Sequence, residues 1–503
     1  MELSSTRSQK IIRSVIEKIK DKGIPKLIYV GLIMIFISAS VLMFQPYEKI
    51  FEKTMIFSKG GISYMYWQSS KVHLELKAFL FNITNKEAFL KGEEKLKLNE
   101  VGPEVAIHQN TTFHHENGII SSNPRYSLQW IPEQIRNEDD IFTLPHVAML
   151  VNKVVETSNL LKLAINTFIM QTDSQPIVQQ TAKEYFFGYE NAFTKFGHTL
   201  MPHWIKFDKI GLLDQLYDHE GDSATTFTGE TNLHLTGLFQ TYNDQSHLQH
   251  WESPCNKLAG SSDGKKFGNY ISMNDTVYLY RKGMCRSVPM IPIGTTVING
   301  ISSVVYDFEE NVFDNGNVNS RNKCFCRNEQ CLPNTVQDIT DCYYGKLHML
   351  IIKDIFTKFS YLNVGNVGFR VAVSFPHFYK GDPSLRDKFD GLEPNATKHQ
   401  SRLFVEPNTG YVTSGYIRLQ LNAILGDLSG VSHCQYFSNM ILPMAWIQLE
   451  LRQLDPVLNI ALIMILRILP LIEVALAYLL LLIGILLTIF SLRTLIYDSE
   501  NID

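Results

Sequence analysis

Seven cysteines, at positions 255, 285, 324, 326, 331, 342 and 434, are the densest concentration of reactive side chains in this sequence. The run C-F-C-R-N-E-Q-C at 324–331, followed by Cys342, holds enough thiolates to close a tetrahedral zinc shell. Zinc modules of that kind normally pair their ligands as CxxC, which this run lacks. Four glycosylation sequons, at Asn82, Asn110, Asn274 and Asn395, surround the cysteines and point to an oxidising compartment. Disulfides are therefore expected and a metal is not, although spacing alone selects no connectivity.

No other constellation competes. The sequence has no GxSxG elbow, no HExxH, no GxxxxGK[ST] loop and no GxGxxG. His114, His115, His247 and His250 are candidate ligands or bases only by residue type, among 15 histidines spread along the chain. The reading is a protein that is not an enzyme and needs no cofactor. A balance of 46 Lys plus Arg against 50 Asp plus Glu gives no basic field for a phosphate backbone, so nucleic acid is not an expected partner.

The elements that must carry these residues begin with two apolar runs. Residues 27–44 and 474–492 contain no charge, and each is long enough to cross about 30 Å of hydrocarbon as a helix. The mean hydropathy of −0.04 conceals both. Seven basic residues against three acids in 1–26 place the N-terminus in the cytosol by the positive-inside rule. A signal peptide cleaved near residues 38–40 is the rival, but the apolar run continues through Phe44, which favours an uncleaved anchor. The expected layout is a cytosolic tail (1–26), a first span (27–46), an outer domain (47–456), a membrane-proximal apolar segment (457–473), a second span (474–492) and a cytosolic tail (493–503). All seven cysteines and all four sequons fall in the outer domain, which is large enough to bury its own core.

Period-two patterns at 71–84, 276–281, 368–375 and 415–422 predict strands, punctuated by turn clusters at 99–104, 314–317 and 406–410. Residues 146–205 differ, with apolar positions at helical spacing around a turn at Pro176. Arg467, Pro470 and Glu473 interrupt the apolar segment 457–473; the reading is a shifted span boundary with Arg467 reaching the interface, not a functional intramembrane pair.

Taken in order, FLFNITN (79–85), LNEVGP (98–103), LPH (144–146), FFGYENAF (186–193), CNKLAGSSDGKKF (255–267), CRS (285–287), CFC (324–326), FPHFY (375–379), GLEPN (391–395), VEPNTG (405–410) and RLQLN (418–422) resemble the class B scavenger receptors. That family includes platelet glycoprotein IV (fatty acid translocase), the lysosomal integral membrane protein and the sensory neuron membrane proteins. The resemblance covers essentially the whole chain. It implies an α+β membrane protein with both ends cytosolic: a large antiparallel β-barrel-like ectodomain, an apical helical bundle at 146–205, and an internal lipid tunnel. It also implies the pairs Cys255–Cys324, Cys285–Cys342 and Cys326–Cys331, with Cys434 left over. On that surface Leu160, Leu163, Phe168 and Ile169 become the expected ligand contacts, because apolar burial at about 0.8 kcal/mol per CH2 suffices to hold an acyl chain or sterol.

Departures accompany the resemblance. The loop between the apical helices is QTDSQ (171–175), with Asp173 where some members carry lysines, and neither tail has a cysteine for palmitoylation. The family's GTDGxxFPPF pattern appears as GSSDGKKFGNY (260–270), and the tail after Leu492 has no acidic residue four before its Leu-Ile pair. The expected function is a cell-membrane receptor for lipids (fatty acids, sterols, phospholipids), lipoproteins or lipid-bearing particles that moves lipid through the tunnel. The alternative is a lysosomal membrane receptor that carries a protein cargo and releases it at acid pH. An ecto-enzyme ranks last.

Overall fold

The computed structural model describes residues 24–68, 74–103, 106–116, 119–129, 139–150, 159–190, 192, 195, 211–213, 223–326, 331–340, 342, 370–452 and 454–500. Residues 1–23 of the expected N-terminal tail, and 151–158, 191, 193–194 and 196–205 of the expected apical bundle, lie outside it. The chain divides into two units, one formed by the two ends and one by Met55–Asp455.

In the first unit, apolar helices run over Ile24–Phe44 and Leu469–Glu500. The stretches apolar and long enough to span are Lys26–Phe44 and Pro456–Tyr497, of 19 and 42 residues. The second is about 63 Å long at helical rise, twice the hydrocarbon thickness, so a single span would use only part of it. Small residues let the two helices touch. A Cβ on Gly31 would sit 2.4 Å from Thr488 Oγ1 and 2.8 Å from the Gly484 carbonyl, and Ser38 Oγ donates to the Ala477 carbonyl at 2.7 Å. A π-turn at Met464–Ile468 interrupts the second helix. There Tyr47 donates its hydroxyl to the Ile465 carbonyl and its backbone N–H to Glu473 Oε1. Glu473 thus accepts a backbone N–H from the first turn of the short helix Pro46–Met55.

The second unit is mainly sheet. Its strands are β1 (Leu74–Ile83), β2 (Leu96–Val101), β3 (Ala106–Glu116), β4 (Ile119–Gln129), β5 (Ile141–Pro145), β6 (Ile177–Thr181), β7 (Ala224–Phe227), β8 (Phe239–Tyr242), β9 (Ser261–Ser262) and β10 (Val277–Arg281). They continue as β11 (Arg286–Ile298), β12 (Ile301–Phe308), β13 (Gln337–Asp338), β14 (Val371–Ser374), β15 (Phe389–Asp390), β16 (Arg402–Val405), β17 (Val412–Ile424) and β18 (Ile441–Leu451). The large sheet runs β15-β2-β1-β18-β17-β16-β12-β11-β10-β9, with β14 on β17 and β13 on β14; among the described residues no ladder joins its two ends. All its pairings are antiparallel except the short β9–β10 and β15–β2 contacts. Separate sheets hold β3-β4-β7-β8 and β5-β6.

Alternation explains the faces. Leu76, Ala78 and Leu80 on β1 are buried on one side, while Glu75, Lys77 and Phe79 point to the other, facing Glu450, Gln448 and Trp446 of β18. Asn299 and Gly300, both at positive φ, make the two-residue turn that sets the β11–β12 register. The strands expected at 71–84, 276–281, 368–375 and 415–422 correspond to β1, β10, β14 and β17. The divergent GSSDGKKFGNY segment carries a fully buried Lys266. Its Nζ donates to Asn269 Oδ1 at 2.6 Å and to the carbonyls of Phe267 and Thr236, and burial pushes its pKa down to about 7.

Candidate functional sites

The helix Asn159–Thr172 is the described part of the expected ligand surface. Ile165 and Ile169, one turn apart, are buried in the core, and Phe168 packs against the same cluster. Leu163 and Met170 point outward, 65% and 77% exposed. Asn166 ties the helix to the loop before β18: its Nδ2 donates to the Gly430 carbonyl at 2.9 Å, and its Oδ1 accepts from the Ser432 N–H at 2.9 Å. The four expected contacts therefore do not share a face. Ile169, only 1% exposed, is core, Phe168 is half-buried, Leu163 is on the surface, and the side chain of Leu160 lies outside the described set. Met170 was missed, although its spacing of seven from Leu163 places both on one stripe.

A strand pair and a short helix flank this element. β5 and β6 pair, and Thr181 begins the helix Ala182–Phe187 with a capping box in which Glu184 N–H donates to Thr181 Oγ1 at 3.2 Å and Thr181 N–H to Glu184 Oε2 at 3.0 Å. His146, in the expected LPH segment, is buried. Its Nδ1 accepts the Met149 N–H at 3.1 Å, and burial pushes its pKa down to about 4.

The second site was not anticipated. Glu100 on β2, His377 in the turn after β14 and His399 in the helical turn Ala396–His399 gather their side-chain ligand atoms within 4.8 Å of one another. His377 Nε2 lies 2.6 Å from Glu100 Oε2, which also accepts the Trp446 indole N–H at 2.9 Å. The His377 and His399 rings stack at 4.4 Å, 13° from parallel. Burial acts to raise the Glu100 pKa, but the bonds from His377 and Trp446 outweigh it and hold the carboxyl below its usual range. Burial and then the His377 ring push His399 down to about 4.

This triad has the residue types of a metal centre, but its hydrogen bonds oppose one. His377 Nδ1 accepts the Glu393 N–H at 2.9 Å, and His399 Nδ1 accepts the Asn395 N–H at 3.0 Å. Each neutral ring must then carry its proton on Nε2, which in His377 is the atom facing Glu100, and has no lone pair there for a cation. Beneath the rings, Gln420 Oε1 accepts the His377 N–H at 2.7 Å, and Gln420 Nε2 donates to Asn422 Oδ1 at 2.8 Å. Four of the segments that carried the resemblance, LNEVGP, FPHFY, GLEPN and RLQLN, thus converge on one buried polar cluster. Their order in the sequence was the available signal. The histidines singled out there stand elsewhere: His114 and His115 on β3, and His247 and His250 in a cleft of about 270 Å³ with Tyr242, Tyr280 and Lys282. The Ser246 Oγ to His247 Nδ1 contact at 2.8 Å joins two exposed sequence neighbours, and no carboxylate is among the described residues lining that cleft.

Two disulfides are formed, Cys255–Cys324 and Cys326–Cys331. Cys285 is a buried thiol in this structure, so the expected Cys285–Cys342 pair is not among the bonds formed. The two residues are neighbours nonetheless: the Cys285 N–H and the Cys342 Sγ both bond the Lys282 carbonyl, at 3.0 and 3.4 Å. Cys434 is buried, and its thiol pKa is pushed up to about 12 by that burial. Among the sequons, Asn274 and Asn395 are exposed. Asn82 is half-buried on β1, with Oδ1 accepting the Thr143 N–H at 2.8 Å, and the side chain of Asn110 on β3 lies outside the described set.

Comparison with known proteins places these features in a family. The chain is 25% identical over 427 residues to scavenger receptor class B member 1 of Cricetulus griseus, covering 83% of this chain and 77% of that one. It is 24% identical over 433 residues to Protein peste of Drosophila melanogaster, covering 83% and 73%. It is 23% identical over 431 residues to lysosome membrane protein 2 of Mus musculus, covering 83% and 84%. Residues 29–495 match the profile of the CD36 family, from inside the first apolar helix to inside the last, and the chain belongs to that family.

Proposed function

We propose that this protein is a class B scavenger-type receptor, held in the membrane at both ends with its termini in the cytosol, that binds lipids, lipoproteins or lipid-bearing particles and passes lipid through its ectodomain toward the bilayer. The observation that carries the reading is the exposed Leu163–Met170 stripe on a helix whose opposite face, Ile165 and Ile169, is anchored in the core. A rigid element presenting apolar side chains to water suits capture of an apolar ligand. On this reading 47–456 is a glycosylated ectodomain, 146–205 its apical bundle, and the large sheet the wall of the lipid conduit. Cys285 and Cys342, brought together at the Lys282 carbonyl, close the third disulfide in the oxidising compartment. Binding and transfer, not catalysis, are its work.

Lipid profiling of the full-length protein purified in detergent tests this. Acyl lipids or sterols are expected to copurify, and fewer with Leu163→Asp/Met170→Asp; recovery of none from the parent protein rejects the conduit.

His146 supports a second reading, a lysosomal receptor releasing protein cargo in acid, because a neutral buried imidazole takes up a proton only at the cost of its packing. A steady-state lysosomal pool with a protein partner lost at acid pH favours that reading over the first.

A further inference from the structure

The Glu100, His377 and His399 cluster belongs to neither reading, and its geometry says what it can do. The segment 375–401 leaves β14, adds β15 to the edge of the sheet beside β2 and returns at β16. Phe378, Leu385 and Phe389 anchor its middle in the core, and its two ends meet through side chains that change character with protonation. His377 and His399 sit at its two ends, stacked on each other, each accepting a backbone N–H of the same segment, from Glu393 and Asn395. A proton added to either Nδ1 would point at that N–H, so protonation and the closed loop exclude each other. Three residues of the first turn, His377, Phe378 and Lys380, have φ of 53°, 53° and 59°. Side chains rarely adopt that left-handed conformation unless contacts hold it.

We propose that the two ends of residues 375–401 form an acid-released clasp, closed while His399 is neutral and opened when His399 takes up a proton. The charged groups around the rings set the response. Glu100 on β2 favours protonation, while Arg418 on β17, Lys398 on the same helical turn and the adjacent His377 ring oppose it; Trp446 of β18 and Phe81 of β1 contribute uncharged ring faces. The closed form therefore survives mild acid and yields only in a strongly acidified compartment. Opening uncovers Trp446 and Gln420, both buried in the closed form. This inference does not depend on which ligand the receptor carries.

Hydrogen exchange of the full chain in lipid nanodiscs tests the clasp, read in peptides covering 392–400 with any Asn395 glycan removed before mass measurement. With His399 at about 4 when closed and 6.5 when released, moving from pH 7.5 to 5.0 is expected to lower protection there on the order of 30-fold beyond the intrinsic rate change. Peptides of β18 are expected to hold their protection. His399→Asn keeps an acceptor, Oδ1, near the Nδ1 position and does not titrate, so its 392–400 protection is expected to be flat over this range. A wild-type change below threefold, a parallel loss in β18, or an equally steep response in the variant would each overturn the proposal. If the variant does not fold, the wild-type comparison of 392–400 with β18 decides alone.

Discussion

Phe79 and Trp446 lie face to face across the β1–β18 ladder, ring centroids 3.8 Å apart and planes 5° from parallel. Trp446 also donates its indole N–H to Glu100, so one side chain joins the strand ladder to the buried polar cluster. Trp446→Phe keeps the stack and removes a hydrogen bond to a charged group, which is expected to cost about 1.5–3 kcal/mol. Trp446→Ala is expected to cost about 3–5 kcal/mol. Thermal unfolding of the detergent-solubilised protein measures both, and no loss in Trp446→Phe would mean that the indole N–H contributes nothing.

The two faces of the helix Asn159–Thr172 separate stability from binding. Ile169→Ala is expected to destabilise by about 2–5 kcal/mol because it opens a cavity in the core. Leu163→Asp and Met170→Asp are expected to change stability by no more than about 0.5 kcal/mol while weakening capture of apolar ligands. Paired unfolding and liposome or lipoprotein binding measurements check the split.

Stability is expected to fall with acid. His146 and His399 both have folded pKa values lowered to about 4 against an ordinary 6.5, so the unfolded chain binds more protons than the folded one between those values. Their contribution is complete above pH 6.5 and is lost as pH falls toward 4. Melting temperatures from pH 7.5 to 4.5 are expected to decline across that window, and His146→Gln to make the decline shallower; an unchanged slope removes His146 from the account.

Cys285 and Cys342 give a covalent test. Non-reducing peptide mapping of secretory-route protein is expected to find them joined, and Cys285→Ser to cost about 2–5 kcal/mol. Recovery of both as alkylatable thiols rejects the third bridge.

Gly31 controls the pairing of the apolar helices. Cysteines placed by Ser38→Cys and Ala477→Cys are expected to cross-link, because Ser38 Oγ already reaches the Ala477 carbonyl at 2.7 Å. Adding Gly31→Leu is expected to abolish the cross-link, since even a Cβ there meets Thr488 and the Gly484 carbonyl at 2.4 and 2.8 Å.

Local pattern was enough to announce the two apolar helices, the strands β1, β10, β14 and β17, and the helical character of 159–172. Each of these follows from the hydrophobicity and spacing of neighbours in the chain, which sequence displays directly. Orientation on a helix was harder: Ile169 and Met170 are adjacent and equally apolar, yet one is core and the other surface, because only the packed sheet defines which side is inside. The Glu100–His377–His399 cluster was invisible for a stronger reason. Glu100 and His377 are 277 residues apart, and only the pairing of β1 with β2 and β18, and of β17 with β14 and β18, brings them within 2.6 Å. The chain's own composition dictated that it would enter a membrane and bury a sheet. Which histidine would meet a carboxylate was decided by strand register, because contacts between distant segments leave no periodic trace in the order of the residues; which ring nitrogen carries the proton was decided by the backbone N–H groups of Glu393 and Asn395 in the folded loop.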